Sequence, residues 1–480
     1  MALPGPLTSG DQAVIVADVV AKSKNALAFF KARSADVQAY EDFDTFVDRD
    51  NDSDPKRGAK IETQLTDLRS ALATALWTRQ IFISVDVLDR LLFDAVKSHP
   101  TRPLEESLLA LFHHGVPSAG LVVYPLHSFG VLGFGLFGFL TKVYPDFVIQ
   151  DAKLAITPQT NANDASIAFV ERAAKALGVT RTVDRTGLDH YLVSRPLKWF
   201  AKNPLLVVAM STTTSGYYEN QFIYVLKLKI ATALVMMLSV VGKQTSSKSR
   251  LHAISTKRAN NWQTLDINHY LVLEPSLSDK TRLEARCVPM NAARLQLAEL
   301  SDLNADLDPV TWSSRKAVKK LDGIREALDA VERGYLEHYI LGDRSKWKAR
   351  VYRKLMDSID YFRRSLSAGA DDRTAAVSLA TAFEALLMDR APRGQLTKTF
   401  HRRVALALKG VPGVRKYRAA VKDLYAARSA VVHSGRSDLD VDMLLARRAY
   451  VNCLIKLAGS LGTMSNNADR PFGRLIGDVV

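Results

Sequence analysis

The sequence predicts an α+β protein: a mixed α/β N-terminal region followed by an all-α helical bundle. Three observations carry this expectation. Compact apolar runs bounded by turn residues, LLVVAM at 205–210 and HYLVLE at 269–274, read as strands set among helix-patterned segments. Around Asp308-Pro309 the pattern changes, and beyond it nearly every segment has helical periodicity. Charge divides in a similar way: between Leu341 and Met464, 24 Lys and Arg stand against 11 Asp and Glu, so +13 of the chain's +15 lies there. An excess this concentrated is the footprint of a polyanion binder, the alternative being a basic face kept for solubility.

At 480 residues, 47% hydrophobic and 24% charged, the chain is globular rather than disordered and long enough for two or three domains. The expected division is 1–310, a mixed α/β sensing or regulatory region; 311–465, an all-α effector domain; and 466–480, a flexible tail. Cys287 and Cys453 are the only two cysteines and lie far apart, too few for a disulfide framework or a thiolate zinc site. A reducing compartment, the cytoplasm, is therefore the expected location. MALPGPLTSGDQAVIV lacks a basic n-region, so no secretory signal is expected.

Residues 11–34 carry a helical stripe of Val16, Val20, Leu27 and Phe30. The acidic loop that follows places Asp48, Asp50, Asp52 and Asp54 on alternate positions, as calcium loops do. With Asp48 first, however, position six is Ser53 rather than glycine and position twelve is Ala59 rather than glutamate, so the spacing argues against calcium. A long helical region is expected at 59–99. Val116 to Thr141 has no charged residue and is long enough to span a bilayer, yet Pro117, Pro125 and repeated glycines make it strands and turns. A second apolar stretch, Ile230 to Gly242, is too short to span and follows Lys227 and Lys229, so no membrane partner is expected. Residues 164–178 form an amphipathic helix that stops at Gly178. Helices are then expected at 314–340, 345–367, 371–389, 395–408, 414–433 and 438–463, separated by Gly342, Gly369, Pro392–Gly394 and Val411-Pro412-Gly413. Ser437, with Asp438 and Asp440 behind it, reads as the N-cap of the last one.

The chemistry concentrates in LYAARSAVVHSGRSDLD, where Arg428 and His433 sit five residues apart on a helix expected to stop at Gly435. Five residues amount to about 140° of rotation and about 7.5 Å of rise, so the two do not share a face. They meet only if the last turn is distorted or if a second copy supplies the partner across a two-fold axis. Arginine grips phosphate oxygens through a planar fork and stabilises the added negative charge of a phosphorane. Histidine titrates near neutrality and serves as base towards a ribose 2′-hydroxyl or acid towards the leaving oxygen. On spacing alone the pair is also compatible with a salt-bridging arginine and a histidine that caps carbonyls.

The surroundings add to this. TAAVSLATAFEALLM, then HRRVALAL, then LYAARSAVVHSG together resemble the ApeA-like branch of the HEPN superfamily, with WKARVYRKLMDSIDYFRRSLS similar to its leading helix. The resemblance spans roughly 345–460. It implies a dimerising helical bundle that cleaves RNA without a metal ion, leaving a cyclic phosphate, in phage defence (abortive infection) or as a toxin. By position it implies Arg428 and His433 as the catalytic pair, with Glu384 orienting one of them; a structural ion pair is the other role open to Glu384. Ser429 stands where many catalytic members carry Asn, Asp or His, as is usual in this branch, and Ser434 intervenes between His433 and Gly435.

Further cations interleave with aromatics: Arg402 and Arg403 beside His401, Arg415, Lys416 and Arg418 around Tyr417, and Lys346, Lys348 and Arg350 around Trp347. With Ser429 these are the expected RNA-binding residues, unless Trp347 and Tyr417 are core anchors with solvated neighbours. His113-His114 lacks ligand-spaced companions, and there is no Walker loop, G-x-S-x-G or H-E-x-x-H, so no metal or other cofactor is expected. The sequence reading is thus an antiphage or toxin-like endoribonuclease acting on RNA as a homodimer or higher homo-oligomer, with a phage-derived trigger as a further partner. Its alternatives are a non-catalytic RNA- or nucleotide-binding module and an oligomerisation scaffold.

Overall fold

The computed structural model describes residues 9–22, 118–136, 139–142, 147–157, 162–194, 199–212, 217–242, 253–255, 269–276, 281–289, 302–367, 370–389, 395–434, 440–464 and 471–478, with isolated positions 63, 71, 72, 75, 76, 160 and 279. The acidic loop, His113-His114 and most of the 59–99 helix lie outside them. After α1 (Ser9–Lys22) the chain builds β1 (Ser118–Pro125), β2 (His127–Leu136), β3 (Phe139–Lys142), β4 (Phe147–Ile149), β5 (Leu154–Thr157), α2 (Asn163–Ala176), β6 (Thr182–Val183), α3 (Arg185–Ser194), α4 (Trp199–Lys202), β7 (Leu205–Thr212), α5 (Tyr217–Val241), β8 (Ala253–Ser255), β9 (His269–Pro275), β10 (Arg282–Pro289) and β11 (Asp302–Leu307). The bundle follows as α6 (Arg315–Gly334), α7 (Trp347–Arg364), α8 (Asp372–Leu387), α9 (Leu396–Ala407), α10 (Val414–Ser434), α11 (Met443–Ala458) and α12 (Pro471–Leu475). The fold is α+β.

A seven-stranded sheet, ordered β4-β5-β7-β1-β9-β10-β6, is antiparallel except for the β10–β6 pair. A smaller sheet joins β11, β2 and β3, with β8 also on β2. The uncharged Val116–Thr141 stretch thus supplies strands, as its glycines and prolines imply. Both faces of the large sheet are covered. Leu121, Val123, Val207, Leu271 and Leu273 pack under α2 and α3, while Val122, Tyr124, Val208, Tyr270 and Val272 face the other way into the main core. Burial on both sides explains why LLVVAM is a continuous apolar run rather than an alternating one.

The main core continues without a break from that second face through α5 into the bundle. Helix α5 packs on β7 and β11 and also on α6, α7 and α11. The Ile230–Gly242 stretch is therefore the C-terminal half of a longer helix. Its Ile223–Val241 portion is, among the described residues, the one helix long and apolar enough to cross a membrane, and 83% of it is buried inside the protein. A helix that is apolar all round is at home in a core. Lys227 and Lys229 lie within this helix rather than before it, paired with Glu332 of α6 at 2.7 Å and Asp360 of α7 at 3.0 Å. Arg448 of α11 closes its end by donating to the carbonyls of Val240 and Gly242, at 2.8 and 2.7 Å.

The bundle helices fall where breakers and caps place them, with three differences. The helix expected over 314–340 is α-helical to Gly334 and continues as a π-turn over Tyr335–Ile340. The last long helix begins at Met443, not 438, because the Asp442 carboxylate caps it by accepting from the Leu445 amide at 2.9 Å. The tail expected to be flexible is docked over 471–478: Phe472, Leu475 and Ile476 are buried, and Asp389 accepts from the amides of Phe472 and Gly473, both at 3.1 Å. Inside the bundle Phe362 stacks on Tyr450, whose hydroxyl shares a 2.7 Å hydrogen bond with Ser358.

Candidate functional site

Helix α8 presents Glu384 and α10 presents Arg428 where the two helices pack together. Arg428 Nη2 lies 3.8 Å from Glu384 Oε2, with the two side chains 29% and 24% exposed. Arg428 Nε and Glu384 Oε1 are both buried and, among the described residues, have no hydrogen-bond partner. The contact is thus an ion pair at long range that leaves part of the guanidinium fork unused. Tyr425, one turn earlier on α10, is buried beside Glu384; burial, then the carboxylate's negative charge, pushes its phenol up to about 12. The hydroxyl keeps its proton and remains a donor towards Glu384.

Helix α10 is regular from Val414 to Ser434, so the last turn is not distorted. At about 100° per residue, Arg428 points to the buried side shared with Val421 and Leu424, and His433 points about 140° away, exposed to solvent. The structure therefore brings Arg428 and Glu384 together but leaves His433 apart from both within one chain. His433 instead aligns with Arg415, 18 residues earlier and hence five full turns, and with Lys422 and Ser429, all exposed.

The other expected RNA-binding residues divide sharply. Arg403 is buried, donating to Asp478 at 2.8 Å, to the Leu387 carbonyl at 2.7 Å and to Asp389 at 2.8 Å. It holds the C-terminal segment against the bundle and is not available to a phosphate. Arg402 is more exposed but also pairs with Asp478, at 2.9 Å. Lys346, Lys348 and Arg350 lie at the start of α7, where Arg350 donates to the Ser345 carbonyl at 2.8 Å and Lys348 sits over the Trp347 ring at 5.9 Å. Trp347 and Tyr417 pack against the main core, which is the anchor role rather than a base-stacking one. Lys416 is exposed but a step of about 100° from Arg415 turns it to another side of α10.

Arg415 and Arg418 do converge, and with two residues that sequence grouping had not joined to them. His401 of α9 and Lys422 of α10 line a groove of about 270 Å³ with Arg415, Arg418, Val404 and Ala419. His401 meets the Tyr425 ring edge-on at 5.7 Å, which links this groove to the Glu384–Arg428 pair. Burial, then the charges of Lys422 and Arg418, hold the His401 imidazole below its ordinary range. Reading α10 at its helical period, instead of by neighbours in sequence, is the signal that finds Lys422. Among the described residues no three His, Cys, Asp or Glu side chains are grouped to hold a metal ion.

What fold and site define together is an α+β protein whose basic helical bundle carries an Arg–Glu pair beside an open cationic groove. No family model, curated protein or solved structure matches the chain.

Proposed function

We propose that this chain is an endoribonuclease of a phage-defence or toxin type, acting in the cytoplasm as a homodimer and using arginine and histidine in place of a metal ion. The observation that carries the reading is the Arg428–Glu384 pair: an arginine aimed by a carboxylate, with its Nε unsatisfied, on the same basic helix as an exposed histidine. In the reaction the ribose 2′-oxygen attacks phosphorus, the P–O5′ bond breaks, and the products are a 2′,3′-cyclic phosphate and a 5′-hydroxyl. Arg428 stabilises the phosphorane charge and is positioned by Glu384. His433 moves a proton, from the 2′-hydroxyl as base or to the 5′-oxygen as acid. Because α10 is undistorted, Arg428 of one copy must work with His433 of the other.

The test uses purified chain and labelled RNA in EDTA. Wild type is expected to cleave, and Arg428→Ala and His433→Ala to lose cleavage each on its own. Mixing those two variants with subunit exchange is expected to restore about a quarter of the activity, since half the dimers are mixed and each holds one intact site. Cleavage that survives either substitution sinks the assignment. No recovery on mixing sinks the shared site. The separation of His433 from Arg428 within one chain also favours a second reading, an RNA-binding module that does not cleave. Intact RNA with tight binding, and no growth arrest on expression, selects it.

A further inference from the structure

We infer that the groove between α9 and α10 is a phosphate track for single-stranded RNA, built by Arg415, Arg418 and Lys422 with His401 in its wall, and continued along α10 to His433. The choice of RNA rests on the proposed function; the anion site rests on the groove itself.

Among the described residues its lining contains four basic side chains and no carboxylate. Other arginines of the bundle are consumed internally: Arg363 by Asp360, Arg403 by Asp389 and Asp478, Arg448 by the end of α5. Arg415, Arg418 and Lys422 are exposed, and their side chains have no ion pair or hydrogen bond among the described residues. Such a set in one concavity is electrostatically incomplete without an anion. The groove also opens beside the first turn of α10, a helix of 21 residues whose N-terminal amides favour negative charge. The crowding of His401 by Lys422 and Arg418 is the same imbalance seen from the imidazole.

Alignment sets the direction of the track. Arg415, Lys422, Ser429 and His433 follow one exposed stripe of α10, and Arg415 to His433 covers about 27 Å. That length spans several successive phosphates and ends at the residue proposed to move the proton. A concave slot between two helices takes one strand, whereas a bilayer surface is flat. Tyr425 is buried in the core and Tyr417 packs against it, so among the described residues no Tyr, Phe or Trp ring lines the groove. Binding is accordingly to backbone, tolerant of sequence and steeply salt-dependent.

The experiment measures binding of the full chain to a labelled single-stranded RNA across a salt series, for wild type, Arg418→Ala/Lys422→Ala and Arg428→Ala/His433→Ala. Both groove substitutions lie on exposed positions of a regular helix, and circular dichroism verifies folding. The groove variant is expected to bind more weakly and to flatten the log K against log salt slope by about 1.4, at about 0.7 per lost contact. The Arg428/His433 variant, which removes only the far end of the track and none of the groove lining, is expected to lose less affinity than the groove variant. Unchanged affinity and slope in the groove variant overturn the track and leave the nuclease proposal untouched. Groove-dependent binding without cleavage supports the track and overturns only the nuclease. A wild-type chain that binds no RNA overturns both.

Discussion

Arg402 and Arg403 are neighbours in sequence, yet replacing them has different predicted consequences. Arg403 is 4% exposed and makes three short charge-assisted contacts, with the carboxylates of Asp478 and Asp389 and the Leu387 carbonyl. Arg403→Ala leaves two buried carboxylates facing the space the guanidinium occupied. Breaking a buried pair from one side costs about 3–5 kcal/mol. Here the lower end applies, because Asp478 keeps Arg402 and Asp389 keeps the amides of Phe472 and Gly473. Arg402→Ala removes a pair whose arginine is 40% exposed, for which a cost below about 1 kcal/mol is expected.

The local readout is hydrogen exchange of residues 471–478, alongside a thermal melt of the whole chain. Arg403→Ala is expected to release the segment from protection and Arg402→Ala to leave it nearly intact. Arg403→Lys, which keeps a charge but not the fork, falls between them and serves if the alanine variant does not fold. Acid gives a second check. Burial pushes the Asp478 carboxyl up, but hydrogen bonds from Arg403 and Arg402 outweigh it and hold it below the usual range. The stability so gained is present above the unfolded carboxyl value of about 3.9 and is lost as pH falls through the folded value. The gap between wild type and Arg403→Ala therefore narrows in acid. Equal exchange for the two alanine variants, or a gap that widens in acid, refutes the reasoning.

Three further outcomes are expected. A Cβ at Gly334 falls within the Tyr352 ring, so Gly334→Ala should destabilise by about 1–3 kcal/mol or more, while Gly334→Ala with Tyr352→Leu recovers part of it in the same denaturation assay. Lys227→Met leaves Glu332, 3% exposed, without its ion-pair partner and should cost about 3–5 kcal/mol in urea unfolding; adding Glu332→Leu should restore most of the loss, because a packed apolar pair replaces the ionic one. Lys153 is pushed down to about 8 by burial, then by Lys227. Its charged form destabilises the fold at neutral pH, and that penalty fades as pH rises from about 8 towards about 10.4. Lys153→Met should accordingly raise the melting temperature at pH 7 and make little difference near the upper end of that window; a constant shift across the range tells against it.

Much of the bundle was legible because its signals are local. Glycines and prolines between helices, Asp371 accepting from the Thr374 amide, and the periodicity of segments such as WKARVYRKLMDSIDYF each act within a few residues. The strands LLVVAM and HYLVLE were legible for a related reason, since burial on both faces leaves a short run wholly apolar. Helix α5 was not, because its two lysines resembled a polar flank until Glu332 and Asp360, more than a hundred residues later, appeared opposite them. The start of α11 was less legible, because Ser437, Asp438, Asp440 and Asp442 all offer capping side chains, and it is Asp442 that accepts from the Leu445 amide. At the candidate site, helical geometry alone separated Arg428 from His433, while the approach of Glu384 needed α8 and α10 to pack together.

By itself, then, the sequence determined the class of fold, the positions of most bundle helices and the concentration of positive charge, all consequences of short-range periodicity and composition. Only the tertiary structure decided what each charge is for. Arg403, Arg448, Lys227 and Lys229 are spent on acids and carbonyls distant in sequence, whereas Arg415, Arg418 and Lys422 are exposed and, among the described residues, have no acid in the groove they line. The physical reason is that a cation's role depends on desolvation and on the partner brought within a few ångströms, and both arise from contacts between elements far apart along the chain.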